Sequence, residues 1–336
     1  MKTAVIGASG YLGGELLRLL ARHPVFEVAV AQGERSAGER VAELHPGLAG
    51  SYPDLVVEPA SAESASRADL VFVALPAGRS QDLVAELAGA TRVVDLGADF
   101  RLRDAKAYEQ WYGFTHRHPE LLSKAVYGLP ELNRDALVGA TLVAAPGCYV
   151  TAASLALAPL LDSGAIDPKG VIVDAASGVS GAGRDPSAFT HFGSVNENFA
   201  AYGLLDHRHT PEIEQVTGAE VLFTPHLAPM TRGILVTAYA RAASSSPTDE
   251  LLGLFAARYR EERFVEVVEY APETRETHGS NVAKVTVRFA PRTGHVLVLC
   301  ALDNLTKGGA GQAIQAANVA VGIDESSGLD FPALVP

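Results

Sequence analysis

The sequence predicts an α/β protein that pairs a parallel sheet, covered by helices on both faces, with a second α/β domain around a mixed sheet. In the first hundred residues, short apolar runs alternate with helical patterns, which is typical of a parallel sheet. After residue 146 the apolar runs lie farther apart and alternate with polar residues. The length of 336 residues also favours two domains over one.

The elements of the first domain follow from the spacing of apolar residues and glycines. The run at 3–7 stops at Gly7, and an amphipathic stretch follows at 11–22, so the order is strand, tight turn, helix. The other predicted strands are 26–31, 70–75 and 92–96, with a helix at 79–88.

The second domain opens with Pro146-Gly147-Cys148, directly before a long apolar helix predicted over 151–161. Its predicted strands are 170–175, 220–224, 233–240, 283–290 and 296–302. Their alternation fits a larger, mostly antiparallel or mixed sheet. We expect a surface loop at 242–247 and a final helix at 312–321.

Charge and cysteine content limit the class of protein. The net charge of −12 (27 basic minus 39 acidic residues) excludes nucleic acid and anionic membrane as expected partners. An anionic substrate would therefore need a local basic site. Two cysteines favour a reducing compartment over a disulfide framework. No signal stretch and no run of about 20 apolar residues is recognisable, so the expected location is the cytoplasm.

A glycine motif between the first strand and the first helix predicts dinucleotide binding. Residues 7–13 read Gly-Ala-Ser-Gly-Tyr-Leu-Gly, and glycines at this spacing let the backbone approach a pyrophosphate at the helix N-terminus. The alternative is a turn that only packs the helix on the strand. After the second strand, Arg35 and Ser36 suit a 2′-phosphate and favour NADP, whereas Glu34 favours the opposite choice.

Cys148 is the candidate nucleophile. At a helix N-terminus the dipole favours the thiolate, which is the form that attacks acyl carbon. Backbone N–H groups at the same helix start can stabilise an oxyanion. The alternative is a small buried hydrophobe, which is the interpretation for Cys300 because its strand offers no polar neighbours.

The acid–base partner is sought in the stretch His207-Arg208-His209-Thr210-Pro211. We interpret Thr210 as the N-cap and Pro211 as the first residue of a helix, which puts both histidines in the preceding turn. The sequence leaves open which of the two moves a proton. The spacing matches no common metal pattern, so no metal is expected.

Two glycine-containing loops also follow predicted strands. Residues 177–184 combine glycines with hydroxyls and suit a polar ligand. In the loop at 95–101, Arg101 has the geometry to clamp a carboxylate or phosphate through two hydrogen bonds, although ordinary loop chemistry is the alternative.

With these motifs in view, the chain closely resembles the N-acetyl-γ-glutamyl-phosphate reductases of arginine biosynthesis, in the aspartate-semialdehyde-dehydrogenase-like superfamily. The likeness covers nearly the whole chain. It rests on GASGYLGGELLRLL (7–20), DLGADFRL (95–102), AVYGLPE (125–131), APGCYVTA (145–152), SGVSGAGR (177–184), HRHTPEIEQ (207–215), FTPHLAPMTRG (223–233) and DNLTKGGAGQA (303–313).

The resemblance implies a Rossmann domain over 1–147 completed by 308–336, and a catalytic domain over 148–307 that also forms a homodimer or homotetramer. It implies NADP as cofactor, Cys148 as nucleophile and His207 or His209 as the acid–base group. The implied cofactor-binding residues are Gly7, Ser9, Gly10, Tyr11, Leu12, Gly13, Arg35, Ser36, Leu75, Pro76, Ser177, Gly178, Asn304, Lys307 and Gly308. The implied substrate-binding residues are Arg101, Ser180, Gly181 and Glu212. Gly97 departs from the family, where serine is expected.

The implied reaction is the reduction of N-acetyl-L-glutamyl 5-phosphate to the 5-semialdehyde, with release of phosphate, through a thioester on Cys148. One alternative is the sister reductase of lysine biosynthesis, which acts on an aminoadipyl phosphate attached to an acidic carrier protein. Aspartate-semialdehyde dehydrogenase itself usually carries Asn-Cys-Thr at the nucleophile, whereas this chain has Gly147-Cys148-Tyr149. A non-catalytic dinucleotide sensor is the alternative from a different class.

Overall fold

The computed structural model describes residues 1–335 and divides them into two units, each with its own sheet. The first unit comprises residues 1–146 and 309–330, and the second comprises 147–308 and 331–335. Within residues 1–335, no helix combines the length and the apolar character needed to cross a bilayer.

The strands are β1 (Lys2–Ile6), β2 (Glu27–Gln32), β3 (Val57–Glu58), β4 (Leu70–Val73), β5 (Arg92–Asp95), β6 (Val126–Tyr127), β7 (Leu142–Ala144), β8 (Val171–Ser177), β9 (Ala200–Ala201), β10 (Val221–Leu227), β11 (Ile234–Arg241), β12 (Val265–Val267), β13 (Ala283–Ala290) and β14 (His295–Leu302). The helices are α1 (Tyr11–Leu20), α2 (Val41–Leu44), α3 (Ala62–Ala65), α4 (Gln81–Leu87), α5 (Ala105–Tyr112), α6 (Pro119–Leu122), α7 (Pro130–Leu137), α8 (Cys148–Asp162), α9 (Phe192–Val195), α10 (Thr210–Thr217), α11 (Thr248–Arg258) and α12 (Gly311–Val321). A π-helix covers Thr306–Ala310.

The sheet of the first unit is parallel throughout, in the order β3-β2-β1-β4-β5-β7-β6. Strand β4 is buried at all four positions, as expected for a strand covered on both faces. The parallel sheet predicted from the sequence is therefore confirmed. The strand order reverses between β1 and β4, and ligands of open parallel sheets bind at such a point.

Helix α12 belongs to the first unit because its polar side chains are bonded there. Gln312 donates to the carbonyl of Gly128 (3.1 Å), and Gln315 donates to the carboxylate of Glu131 (2.9 Å). The residues after 330 return to the second unit, where the Leu334 amide donates to the His278 carbonyl (2.8 Å). The division expected from the sequence, 1–147 plus 308–336 and 148–307, assigns residues 331–335 to the first domain, whereas they group with the second unit; residue 336 lies outside the described residues.

The sheet of the second unit is mixed, in the order β12-β13-β14-β11-β8-β10-β9. The pairs β8/β10 and β12/β13 are parallel, and the others are antiparallel. Helix α8 packs on β11 and β14 and is buried along most of its length, which explains its apolar sequence. The mixed sheet is confirmed, but α8 begins at Cys148, three residues before the predicted start.

A buried pair of carboxyl groups lies at the carboxyl end of β5. Asp99 accepts hydrogen bonds from the Gly78 amide (2.6 Å), the Ser80 amide (3.0 Å) and the Ser80 hydroxyl (2.9 Å). Asp95 accepts one from the Gly97 amide (3.0 Å). A Cβ at Gly97 would lie 2.9 Å from Asp95 Oδ1, so the glycine lets this turn close. Burial, and then the neighbouring charge of Asp99, raises the pKa of Asp95 to about 7.

We predict that Asp95→Asn removes a pH dependence of the free energy of unfolding. The pKa of Asp95 rises from 3.8 to about 7 on folding, so the native state holds a proton that the unfolded chain has released. The contribution of this protonated carboxyl to the free energy of unfolding is fully present below pH 3.8 and is lost as the pH rises towards 7. Urea unfolding between pH 4 and 8 should therefore show that the free energy of unfolding of Asp95→Asn increases relative to that of wild type as the pH rises. The exposed Asp249→Asn is the control, and parallel pH curves for Asp95→Asn and wild type would contradict the assignment.

Candidate active site

The glycine motif forms a tight turn after β1. Gly7 has φ +83°, and a Cβ there would lie 2.3 Å from the Ala74 carbonyl oxygen. The amides of Gly7 and Ala8 both donate to the Gln32 carbonyl (2.9 Å each). A Cβ at Gly13 would lie 2.1 Å from the Gly7 carbonyl oxygen, so helix α1 begins in direct contact with the turn. This is the close strand-to-helix packing that a pyrophosphate-binding turn requires.

The start of α1 and the end of β2 present polar groups next to this turn. Gly10 is the N-cap of α1 and provides no side-chain cap, so the amides of the first turn are not capped by that residue. A Cβ at Gly33 would lie 2.6 Å from the Ser36 hydroxyl and 3.6 Å from that of Ser9. The Ser36 hydroxyl is buried and has no hydrogen-bond partner within residues 1–335. A hydroxyl left without a partner beside a helix N-terminus suits an anionic ligand.

The remaining predicted ligand residues of the first unit differ in exposure. Tyr11, Arg35 and Pro76 are exposed, whereas Leu12 and Leu75 are half-buried. Arg101 is also half-buried and donates through Nη2 to the Leu96 carbonyl (2.8 Å). Its guanidinium therefore supports the loop after β5.

Cys148 is the first residue of α8, with Gly147 as the N-cap, and its side chain is partly exposed. The first backbone bond of the helix runs from the Thr151 amide to the Gly147 carbonyl (2.9 Å). The amides that precede Thr151 in α8 are those that a helix N-terminus offers to an anion. The thiol and these donors therefore lie on the same turn of helix.

Gly147 is held from two sides. Its amide donates to the carboxylate of Glu212 (2.9 Å), which is fully buried in α10. A Cβ at Gly147 would lie 2.5 Å from Nε2 of His209, so the imidazole rests directly on the glycine backbone. Glu212, predicted to bind substrate, thus supports the residue before Cys148, and a role in substrate binding stays a prediction. Cys148 itself is contacted by Gly308, where a Cβ would lie 2.9 Å from the Cβ of Cys148.

The N-cap predicted for α10 is wrong by one residue. The helix begins at Thr210, and His209 occupies the cap position with φ −82° and ψ −14°. Proline in the first turn fits the prediction. The shift matters because it puts His209 at the mouth of α10 with its ring against Gly147.

The two histidines are not equivalent. His207 accepts the His209 amide through Nδ1 (3.1 Å), so in its neutral form the proton is on Nε2. Burial, and then the charge of Arg208, lowers the pKa of His207 to about 4. His207 is therefore neutral near pH 7, while His209 has the ring that contacts the residue before Cys148.

A polar cluster joins the loop after β8 to the segment after β14. Asn304 accepts the Gly233 amide (2.8 Å) and donates to the Ser180 hydroxyl (2.9 Å). A Cβ at Gly178 would lie 2.7 Å from the Thr231 carbonyl oxygen, so these backbones are in contact. Of the other residues predicted here, Ser177 is buried and Gly181 is exposed.

Lys307, predicted to contact the cofactor, is fully buried in the second unit, with Nζ 5.6 Å from the Phe264 ring centroid. Its side chain therefore lies in the interior. Cys300 is also fully buried, and burial raises its pKa to about 12, an effect that the charge of Lys307 opposes. The sequence interpretation of Cys300 as a buried thiol is confirmed.

Sequence reasoning missed several residues that support this site. Asp303 is fully buried and accepts the amides of Gly279 (2.7 Å) and Leu305 (2.8 Å), with Arg232 Nε at 3.1 Å. The motif at 303–313 includes this aspartate, but only its neighbours were singled out. Gly147 is part of the Pro-Gly-Cys motif, but no sequence pattern indicates that an imidazole packs against it.

Comparison with known proteins defines the class first. Residues 2–140 match the family model "Semialdehyde dehydrogenase, NAD binding domain", and residues 148–304 match "Semialdehyde dehydrogenase, dimerisation domain". The aspartate semialdehyde dehydrogenase II of Vibrio cholerae, solved with ASA, has TM-score 0.72 and 17% identity over 95% of this chain and 97% of that one. The Candida albicans aspartate semialdehyde dehydrogenase, solved with NADP, has TM-score 0.71 and 18% identity over 95% and 97%. The two structures share the fold.

Relatives of much higher identity give the particular family. An N-acetyl-gamma-glutamyl-phosphate reductase of Desulforudis audaxviator is 50% identical over the whole of both chains. One from Symbiobacterium thermophilum is 49% identical over 98% of this chain and 97% of its own. The chain belongs to the N-acetyl-gamma-glutamyl-phosphate reductase family, which confirms the resemblance found in the sequence.

We predict that Glu212→Ala lowers the free energy of unfolding by about 1–3 kcal/mol, because it leaves the buried Gly147 amide without its acceptor. Glu212→Gln keeps an acceptor oxygen and should cost less. Urea unfolding measures both, with the exposed Glu220→Ala as a control expected to change stability by under about 0.5 kcal/mol. Equal losses for Glu212→Ala and Glu220→Ala would show that the contact has no structural role.

Proposed function

We propose that this protein catalyses the NADPH-dependent reduction of N-acetyl-L-glutamyl 5-phosphate to N-acetyl-L-glutamate 5-semialdehyde, with release of phosphate. The observation that carries the proposal is a partly exposed thiol on the first residue of α8, next to a glycine covered by the His209 ring. This pairing is what nucleophilic catalysis with an acid–base partner requires. The names of relatives about 50% identical over the full chain support the choice of substrate.

The residues that would hold the cofactor are in the first unit. The Gly7–Gly13 turn and the start of α1 fit a pyrophosphate, and the buried hydroxyl of Ser36 beside the exposed Arg35 fits a 2′-phosphate. NADP is therefore the preferred cofactor. When bound, NADPH supplies the hydride that reduces the acyl carbon.

Cys148 performs the covalent steps. Its thiolate attacks the acyl carbon of the substrate, a C–S bond forms, and the bond to the phosphate oxygen breaks so that phosphate leaves with the electron pair. The amides at the start of α8 stabilise the oxyanion of each tetrahedral species. After reduction, the C–S bond of the thiohemiacetal breaks, which releases the aldehyde and restores the thiolate.

His209 is the acid–base group in this scheme. It protonates the thiohemiacetal oxygen after reduction and takes that proton back as the C–S bond breaks. His209 is preferred to His207 because its Nε2 faces Gly147, one residue from the nucleophile. His207 instead uses Nδ1 to accept the His209 amide and so fixes the backbone that carries the acid–base residue.

Support for a homo-oligomer comes from the open face of the mixed sheet. Ile172 pairs in register with Leu222 on β10 and with Tyr239 on β11, and all three side chains are exposed. Such an apolar row on one sheet face suits burial against a second copy. The family description of residues 148–304 as a dimerisation domain supports the homodimer or homotetramer expected from the sequence. Cys148 and Cys300 are not joined in a disulfide, which supports a reducing compartment, the cytoplasm.

We predict that the purified protein reduces NADP when given N-acetylglutamate semialdehyde and phosphate, followed by absorbance of the reduced nicotinamide. Omitting phosphate should abolish the rate, since the thioester then has no acceptor. NAD should replace NADP poorly because it lacks the 2′-phosphate. Activity only with a carrier-linked aminoadipate semialdehyde would favour the lysine-pathway alternative, and no phosphate-dependent activity with either substrate would contradict a reductase function.

We predict that Cys148→Ser lowers kcat by more than about 10³-fold while the affinity for NADPH is unchanged, because only the nucleophile is altered. Fluorescence titration of NADPH measures the binding. Cys300→Ala is the matched control, since that thiol is fully buried in β14, and it should retain activity. A Cys148→Ser protein with wild-type turnover would rule out the covalent scheme.

A further inference from the structure

Five rings pack together beside Cys148, and we call this group the aromatic box: Tyr149, Tyr202, His207, His209 and Phe223. The Tyr149 ring contacts three of the other rings, and its hydroxyl bonds to that of Tyr202. Its ring meets His207 (centroids 5.9 Å, 85°), His209 (5.9 Å, 70°) and Phe223 (5.4 Å, 69°) edge to face. His207 also contacts His209 (4.8 Å), Phe223 (5.2 Å) and Tyr202 (5.5 Å). One side chain thus contacts both candidate acid–base residues.

Tyr149 is fixed at both ends. Its backbone is the second residue of α8, directly after Cys148. Its hydroxyl donates to the His226 carbonyl (3.2 Å), so the hydroxyl of Tyr202 (3.1 Å away) is the donor in the bond between the two phenols. The ring is also enclosed by those of His207, His209 and Phe223, so it has little freedom to rotate or withdraw even without the hydroxyl bond.

Each histidine is pressed against Tyr149 by a glycine. A Cβ at Gly147 would lie 2.5 Å from His209, and a Cβ at Gly203, where φ is +55°, would lie 3.1 Å from His207. The two imidazoles are therefore confined between glycine backbone and the Tyr149 ring. Packing of this density leaves one arrangement for each imidazole.

We propose that Tyr149 is a positioning residue for the reaction: its ring, rather than its hydroxyl, holds the His209 imidazole against Gly147 and shields His207 from water. The proposal rests on the proposed function for its link to turnover. Proton transfer needs His209 within hydrogen-bond reach of the reacting oxygen, and a displacement of about 1 Å can cost about 10²-fold in rate.

The shielding of His207 has an electrostatic consequence. A protonated His207 would place a positive charge next to the His209 ring. It would also lose the Nδ1 acceptor that the His209 amide uses. Burial in the box, followed by the charge of Arg208, favours the neutral ring. The titratable or charged groups that face His207 are Tyr149, Tyr202, Arg208 and His209, and Cys148 interacts electrostatically with both tyrosines.

The test compares Tyr149→Phe, which keeps the ring, with Tyr149→Leu and Tyr149→Met, which remove it. Tyr149→Met has about the volume of leucine but a more flexible side chain that adapts to the gap, and it serves if the leucine variant does not fold. Tyr270→Leu is the control, since Tyr270 is exposed and its hydroxyl bonds to Glu276 and Lys284. The first readout is the NMR titration of His207 in protein with ¹³C-labelled histidine, assigned with His207→Gln.

We expect His207 to titrate at a pKa of about 4 in wild type and Tyr149→Phe, and nearer 6.5 without the ring. The second readout is steady-state turnover, where loss of the ring should lower kcat by about 10²-fold with a much smaller change in KM. Tyr149→Phe and Tyr270→Leu should stay near wild type. Wild-type kcat and an unshifted His207 titration in the ringless variants would overturn the proposal, as would equal damage from Tyr149→Phe.

Failure of the proposed function would look different. A wild-type protein without phosphate-dependent activity would refute the reductase assignment, whereas the His207 titration would still test the role of the ring. Confirmed wild-type activity with no effect of removing the ring would refute the positioning role alone.

Discussion

The site depends on a single glycine. Gly147 gives its amide to the buried carboxylate of Glu212 and leaves its Cα open to the His209 ring, at a distance that no Cβ would permit. These two contacts connect the N-terminus of α8 to the start of α10. They bring Cys148 and His209, the proposed nucleophile and the proposed acid–base residue, onto adjacent helix starts, although the two are 61 positions apart in the sequence.

Buried polar side chains also connect other segments of the second unit. Asp303 accepts hydrogen bonds from backbone amides of the segment that follows β14. Asn304 connects that segment to the loop after β8 through its hydrogen bonds. Gly308 then packs on the Cβ of Cys148. Buried polar groups of this kind are stable only when fully bonded, so they fix one arrangement of the chain around the thiol.

Much of the architecture could be predicted from the sequence because apolar periodicity reflects burial directly. The runs that became β1, β4 and β13 are long or continuous enough to be recognised, and they lie where expected. Strands β3 and β6 have two residues each and carry no periodic signal. The predicted start of α8 lies three residues after the observed one, because Cys148, Tyr149 and Val150 carry no signal for a helix N-terminus. Tertiary contacts decide where this helix begins.

The site was predictable in its residue types but not in their directions. Motifs identified Cys148, His207 and His209, yet only packing distinguishes the two imidazoles. The direction of Lys307 was also hidden, since nothing in a Lys-Gly-Gly sequence indicates that the ammonium turns inward towards Phe264. Side-chain orientation at the end of a strand is set by neighbours that lie far away in the sequence.

Gly147 makes room for His209 beside the Cys148 thiol, and the measurement that checks this is the rate of Cys148 alkylation by iodoacetamide in Gly147→Ala. Gly253→Ala is the matched control, because a Cβ at Gly253 meets no atom within 4 Å. With the fold verified by circular dichroism, we expect the alkylation rate of Gly147→Ala and its pH dependence to differ from those of wild type, and those of Gly253→Ala to be the same as wild type. Identical alkylation in all three proteins would contradict it.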